Sequence, residues 1–184
     1  LCKACGLELG NDIFGTNLLN ITNITGYTYS NFLPISKNSN FIIDYFDSNN
    51  FSYTVLSNSY VVGLTNIIKL KPNTSYTLSL ERHDENITSP RNFVYDVIDD
   101  NYSINSSLTK TGNVTINFTT SDTGIIALGL GVANNSNGGT GTIKNIMITE
   151  DNTNKYQVYN TMNDWLINQE LWENISDITY RDIL

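Results

Sequence analysis

The chain has 184 residues, enough for one ordinary domain with appendages and for a core that needs neither a metal nor a disulfide to stabilise it. Hydrophobic residues make up 40% and charged residues only 15%, the shortfall being filled by Asn, Thr and Ser, so the surface is wet without being highly charged. The net charge of −8 argues against nucleic acid as a partner, and the longest apolar run, 124–133, is about half what a bilayer span needs.

At the start, Cys2 and Cys5 form a C-x-x-C. A redox motif of that kind follows a strand in a βαβ unit, and a zinc site needs a second pair of ligands. Neither context is present and His83 is the only histidine, so the thiols are expected to face a core at helical i, i+3 spacing. Leu1 carries no basic region before an apolar stretch and gives no signal-peptide pattern. Its not being Met, together with elements that look interrupted at both ends, fits a piece of a longer chain. From Asn17 to Phe32 the sequence is rich in Asn, Thr and Tyr without 3.6 periodicity, and reads as extended chain or loop leading to a first strand.

FIIDYF (41–46) and FSYTVL (51–56) read as strands around the turn Asp47-Ser48-Asn49-Asn50, and SYVVGL (59–64) follows. The stretch IIKLKPNTSYTLSLE (67–81) predicts two strands joined by a corner. Pro72 pre-sets φ, Asn73 tolerates the left-handed region, and Thr74 and Ser75 can bond local backbone. After the corner Tyr76, Leu78 and Leu80 alternate with Thr77, Ser79 and Glu81, a period of two that excludes a helix. His83-Asp84-Glu85-Asn86 reads as a loop. RNFVYDVI (91–98) is a further strand ended by Asp99-Asp100-Asn101. In 113–119, Val114, Ile116 and Phe118 point inward.

Residues 124–132 are apolar on both faces, which predicts a central strand, with Gly129 and Gly131 permitting close approach. NNSNGGTG (134–141) is a loop, and 142–150 the last strand, with a bulge expected near Lys144-Asn145 because Ile146 and Ile148 share a face that Ile143 does not. Beyond Asp151 the apolar spacing becomes irregular, and Thr179 is placed to cap a helix opening at Tyr180, with Asp182 returning the cap. Many short strands with turn residues between them indicate an all-β, two-sheet β-sandwich or jelly roll with short helical or irregular flanks.

Two resemblances join here. The unit IIKLKPNTSYTLSLE with the ending TIKNIMITED resembles the jelly-roll modules of carbohydrate-binding type, in which an LKPNT-x-YTLS corner and a closing strand ending in Glu recur. LCKACGLELGN and NDWLINQELWENISDITYRDIL resemble consecutive pieces of the baseplate hub, or tail-associated structural protein, of long-tailed bacteriophages and prophages. The expected organisation is therefore a hub-like flank (1–16), an inserted jelly roll (17–155) and a second hub-like flank (156–184). The hub resemblance implies a virion-tail location, contacts with other tail and baseplate proteins, and a trimeric parent. The module resemblance implies a host-surface saccharide as partner and a structural calcium ion for which Glu150, Asp151 and backbone carbonyls could serve, although one acidic pair without EF-hand spacing supports it weakly. Otherwise no cofactor and no metal is expected.

Enzymatic chemistry is not expected. Neither G-x-S-x-G nor H-E-x-x-H is present, and the scattered acids Glu81, Asp84, Glu85 and Asp96 read as solvated rim rather than as a glycosidase pair. A saccharide site needs an aromatic platform with hydrogen-bonding groups at its edge. Among the 11 tyrosines, Tyr53, Tyr60 and Tyr95 lie on expected strands, with Arg91 and Asp96 beside them, and these five form the expected ligand site. Each tyrosine alone fits a core residue as well as a platform, and Tyr76 belongs with the core. The competing reading is a structural insertion that makes protein–protein contacts in the tail and binds no saccharide.

Overall fold

The computed structural model describes residues 18–47, 49–56, 60–132 and 138–150. Within them all regular structure is strand: β1 (Ile24–Ser30), β2 (Leu33–Lys37), β3 (Phe41–Phe46), β4 (Phe51–Val55), β5 (Val61–Thr65), β6 (Ile68–Lys69), β7 (Ser75–Glu85), β8 (Pro90–Ile98), β9 (Asn101–Leu108), β10 (Gly112–Thr119), β11 (Ile125–Val132) and β12 (Gly139–Thr149). They form two antiparallel sheets packed as a sandwich. The first runs β2-β1-β5-β11-β8-β9, with β6 also pairing β11; the second runs β10-β7-β12-β4-β3. The all-β two-sheet expectation holds. The flanks 1–16 and 156–184, the Cys2/Cys5 pair and the Thr179 cap lie outside the described residues.

The corner at Pro72 does more than turn the chain. β6 belongs to the first sheet and β7 to the second, so the corner carries the chain between layers. Asn73 takes the left-handed conformation (φ 50°). The Thr74 hydroxyl donates to the Pro72 carbonyl at 2.8 Å, and the Tyr76 hydroxyl accepts from the Lys71 N–H at 3.0 Å. Tyr76, Leu78 and Leu80 then enter the core, facing Val114, Ile116 and Phe118 of the neighbouring β10 in register Leu78↔Ile116. The expected bulge is present: the register of β12 against β7 shifts between Lys144 and Met147, where Asn145 has φ 54°.

β11 is the central strand expected from its two apolar faces, flanked by β5 and β8. Ile126, Leu128 and Leu130 point between the sheets and join the main core with Tyr53, Leu78 and Ile148. Ala127 points the other way, into a second buried cluster built of first-sheet residues: Tyr29, Val62, Leu64, Phe93, Tyr95 and Val97. That cluster can exist because the first sheet curls until its two edges, β2 and β9, come into contact. The face turned away from the sandwich is thus enclosed by its own sheet.

Three readings are corrected. The stretch 17–32, read as loop or extended chain before the first strand, contains β1, which makes a hairpin with β2 and pairs β5. Residues 139–141, read as the end of a loop, open β12 and pair with Val55 to Tyr53 of β4, while 101–108, which carried no strand reading, form β9, an edge strand in which Asn and Ser weaken the apolar signal. His83-Asp84-Glu85 is not a loop, because β7 continues to Glu85 and pairs with β12 throughout, Asp84 standing opposite Gly141.

Candidate functional site

The expected site residues do not converge. Tyr53 is fully buried between the sheets, stacked on Phe41 at 4.8 Å, and cannot be part of a surface platform. Tyr95 is fully buried in the second cluster, its hydroxyl donating to the Phe32 carbonyl at 2.8 Å. Asp96 points to the opposite face of β8 from Arg91 and Tyr95, and its Oδ2 accepts from the Asn105 amide at 2.9 Å. Tyr60 and Arg91 remain. They lie at one end of the curled face of the first sheet, with Tyr29 between them.

The geometry of that end follows from the β1–β2 turn. Asn31 and Phe32 both have positive φ (49° and 68°), which tightens the hairpin to two residues and swings Phe32 back over the face. The Phe32 ring lies 5.6 Å from the Arg91 guanidinium and 6.1 Å from Phe93. Tyr60 meets Tyr29 edge-on at 5.6 Å, held there because the Tyr29 N–H donates to the Tyr60 carbonyl. Phe32 and Tyr60 are 46% and 50% exposed, while Tyr29 beneath them is only 4% exposed. Two bare aromatic rings therefore flank a buried tyrosine and an arginine.

Two polar atoms in this corner are sealed from solvent, Tyr29 Oη and Arg91 Nε; neither makes a well-aligned hydrogen bond, and the Arg91 side chain interacts with the Tyr29 hydroxyl by charge and hydrogen bonding. The other end of the guanidinium is engaged, Arg91 Nη1 donating to the Thr109 hydroxyl. Burial pushes the Tyr29 hydroxyl up to about 12, and the nearby Arg91 charge opposes that rise. The hydroxyl thus stays protonated and can donate. Chemically the corner offers aromatic faces for CH groups and two donors for an acceptor, with no nucleophile or acid–base pair beside them.

Phe32 and Tyr29 escaped the sequence reading as site residues because they stand in a stretch read as loop. The signal lay in Tyr27 and Tyr29 alternating just before Asn31, a residue suited to a tight hairpin turn.

A polar network inside the sandwich was missed altogether. Arg82, read as neither core nor site, is buried with all five N–H donors used. Nε donates to both Asp84 oxygens at 2.8 and 3.0 Å, Nη1 to the Arg91 carbonyl and Asn92 Oδ1, and Nη2 to the Tyr53 hydroxyl and the Gly131 carbonyl. Tyr53 in turn donates to Asp84 at 2.6 Å. Burial, opposed by the Arg82 charge, pushes the Tyr53 hydroxyl well above its ordinary range. This corrects the reading of Asp84 as solvated rim: its side chain is 3% exposed and its charge is matched inside the fold. The network ties β7 and β4 of one sheet to β8 and β11 of the other, a structural role with no open position for a substrate.

For calcium, the described residues do not make a fit. Glu150 is paired with Lys71 at 3.0 Å, Asp151 lies outside the described residues, and no group of three acidic, histidine or cysteine side chains occurs among those described.

No family model matches the sequence, and no curated protein matches it. Among solved structures the chain is similar to a carbohydrate-binding module designated CBM4, at TM-score 0.50 and 12% identity, covering 77% of this chain and 99% of that one. It is also similar to the N-terminal cellulose-binding domain of β-1,4-glucanase C from Cellulomonas fimi, at TM-score 0.43 and 14% identity, covering 75% of this chain and 91% of that one. A third similarity is to the CBM22-1–GH10 modules of xylanase 10B from Clostridium thermocellum, at TM-score 0.45 and 9% identity, covering 80% of this chain and 29% of that one. At these identities the likeness is one of fold, and it rests on the first of the three: the two-sheet jelly roll of a carbohydrate-binding module.

Proposed function

We propose that this domain is a non-catalytic saccharide-binding module whose site is the corner formed by Phe32, Tyr60, Tyr29 and Arg91. The observation that carries the reading is the pairing of two exposed aromatic rings with a buried tyrosine hydroxyl and an arginine that no carboxylate meets among the described residues. Apolar CH faces of a pyranose fit the rings, and its oxygens fit the donors. The fold likeness to CBM4 supports it from a separate direction. Retention of the purified domain on a panel of polysaccharides and on bacterial cell-wall preparations tests it. The expected result is retention on at least one, weakened about fivefold by Tyr60→Ala or Phe32→Ala, as suits an aromatic contact of about 1 kcal/mol. Retention on nothing, or equal retention by both variants, overturns it.

The flanks favour a companion reading. Because 1–16 and 156–184 resemble neighbouring pieces of a phage tail hub, we place the module as an insertion in such a protein, at the virion tail of a trimeric parent. In that setting it would recognise host-surface saccharide or, without a ligand, serve as a contact surface for other tail proteins. The reading frame on either side of the chain tests this, since hub-like sequence must continue there.

A further inference from the structure

We propose that the corner takes the acidic end residue of a saccharide, such as a terminal uronate, rather than an internal stretch of neutral chain. The proposal rests on the saccharide reading above and sharpens it.

The first argument is steric. A chain lying along the curled face would have to cross Phe93 and Tyr95, which are 1% and 0% exposed. That path is closed from three sides. Tyr95 is tied to the Phe32 carbonyl, Tyr102 packs edge-on against Tyr95 at 5.9 Å, and β2 meets β9 across the face. A saccharide at the end carrying Phe32 and Tyr60 therefore cannot run on along the face, and meets it with a terminus or a short branch.

The second argument concerns charge. The ion pairs among the described residues engage Lys71, Arg82 and His83, and none places a carboxylate against Arg91. In a chain of net charge −8, a half-buried guanidinium under an aromatic ring is uncompensated. Its neighbours add no negative charge: the Thr109 hydroxyl accepts from Nη1, and the Tyr29 hydroxyl remains neutral.

The third argument is the kind of group the corner holds. Arg91 Nε–H can only donate, and the Tyr29 hydroxyl beside it has a proton to give. The complement of two adjacent donors is a group that only accepts. A carboxylate fits that description, and it meets the guanidinium with a full opposite charge that a sugar hydroxyl or an ester lacks. The ligand reaches the pair by turning aside the Phe32 ring, which is half exposed and borne on a two-residue turn.

Calorimetric titration with three probes tests the proposal: an oligosaccharide ending in glucuronate at its non-reducing end, the methyl ester of the same compound, and an isomer with the glucuronate inside the chain. The terminal acid is expected to bind at least tenfold tighter than either of the others. Equal binding of the ester overturns the acidic specificity, and equal binding of the internal isomer overturns the recognition of an end; both leave the saccharide reading intact. Silence of all three, with no neutral polysaccharide retained, overturns both readings together. Displacement of the terminal acid by acetate as effectively as by free glucuronate shows a simple anion site and also overturns the proposal. Arg91→Met should reduce the terminal acid to the affinity of the wild-type ester or below and abolish its advantage over the ester, with a melting curve confirming the fold. The wild-type ester comparison decides the question even if that variant fails to fold.

Discussion

Each sheet has a face turned away from the sandwich interior, and the two differ completely. On the second sheet that face carries Ser75, Thr77 and Ser79 on β7 opposite Thr119, Asn117 and Thr115 on β10, a hydroxyl and amide ladder that is exposed on β10 and closed at Thr77, where Met147 and Thr149 of β12 are buried beside it. The Thr77 hydroxyl donates to Asn117 there at 3.0 Å. On the first sheet the corresponding face carries Tyr29, Val62, Phe93, Tyr95 and Val97, all buried. The difference comes from curvature. The β10 members of that ladder stay exposed, whereas the first sheet rolls its edges together and so acquires a second core. An aromatic face is no platform once its own sheet has closed over it, and only the rim of the roll stays open to a ligand.

The comparison breaks most readily at the second core. Tyr95→Ala and Phe93→Ala are expected to cost about 3–5 kcal/mol each, as much as a truncation in the main core, measured by urea denaturation. A cost below about 1 kcal/mol would mean that the first sheet's outer face is open after all. Arg82→Met should also cost about 3–5 kcal/mol, because it strands the Asp84 carboxylate inside the sandwich; converting Asp84 to Leu in the same chain should recover much of the loss.

The pH dependence sharpens the contrast at the rim. The Tyr29 proton is held more tightly in the folded chain, with its pKa near 12 rather than 10.0. Its contribution to stability is therefore complete below about pH 10 and is lost as pH rises toward 12. Tyrosinate absorbance followed alongside denaturation should show this loss in the wild type, and Tyr29→Phe should show a smaller one, the remainder belonging to Tyr53 and Tyr95, whose hydroxyls burial also raises. The smallest effect belongs to the wet face: Thr115→Ala should change stability by less than about 0.5 kcal/mol. A larger loss would mean that this part of the ladder is covered rather than wet.

Much of the architecture is legible in the chain. The alternation of Val114, Ile116 and Phe118, the two-sided apolarity of β11, the Pro72–Asn73 corner and the bulge after Lys144 all follow from local pattern, because each depends on neighbours within a few residues. The strands β1 and β9 were obscured because stretches rich in Asn, Ser and Thr alternate weakly. Their partners β5 and β8 decide their fate, as in the pairing of Thr25 with Leu64. The site was legible in half. Tyr60 and Arg91 stand where the rim needs them, but parity alone could not tell that Tyr95 faces a second core, since β8 is apolar on both sides. Arg82 and Asp84 did carry a local signal: they continue the inward register of Leu78 and Leu80 along β7, and the reading of a loop at His83 cut that register short.

The strand order also has a consequence for how the protein is made. The central strands of the two sheets, β11 and β12, are the last two of the described chain to leave the ribosome. Until β11 emerges, the first sheet is divided into β2-β1-β5 and β8-β9; until β12 emerges, the second is divided into β10-β7 and β4-β3. The nascent chain thus presents four separate fragments with bare hydrogen-bonding edges, and it gains cooperative stability only when two late strands slot between them. A domain built this way is most exposed to mispairing during the final stretch of its synthesis. A pause in translation just before β11 would prolong that exposure more than a pause anywhere earlier.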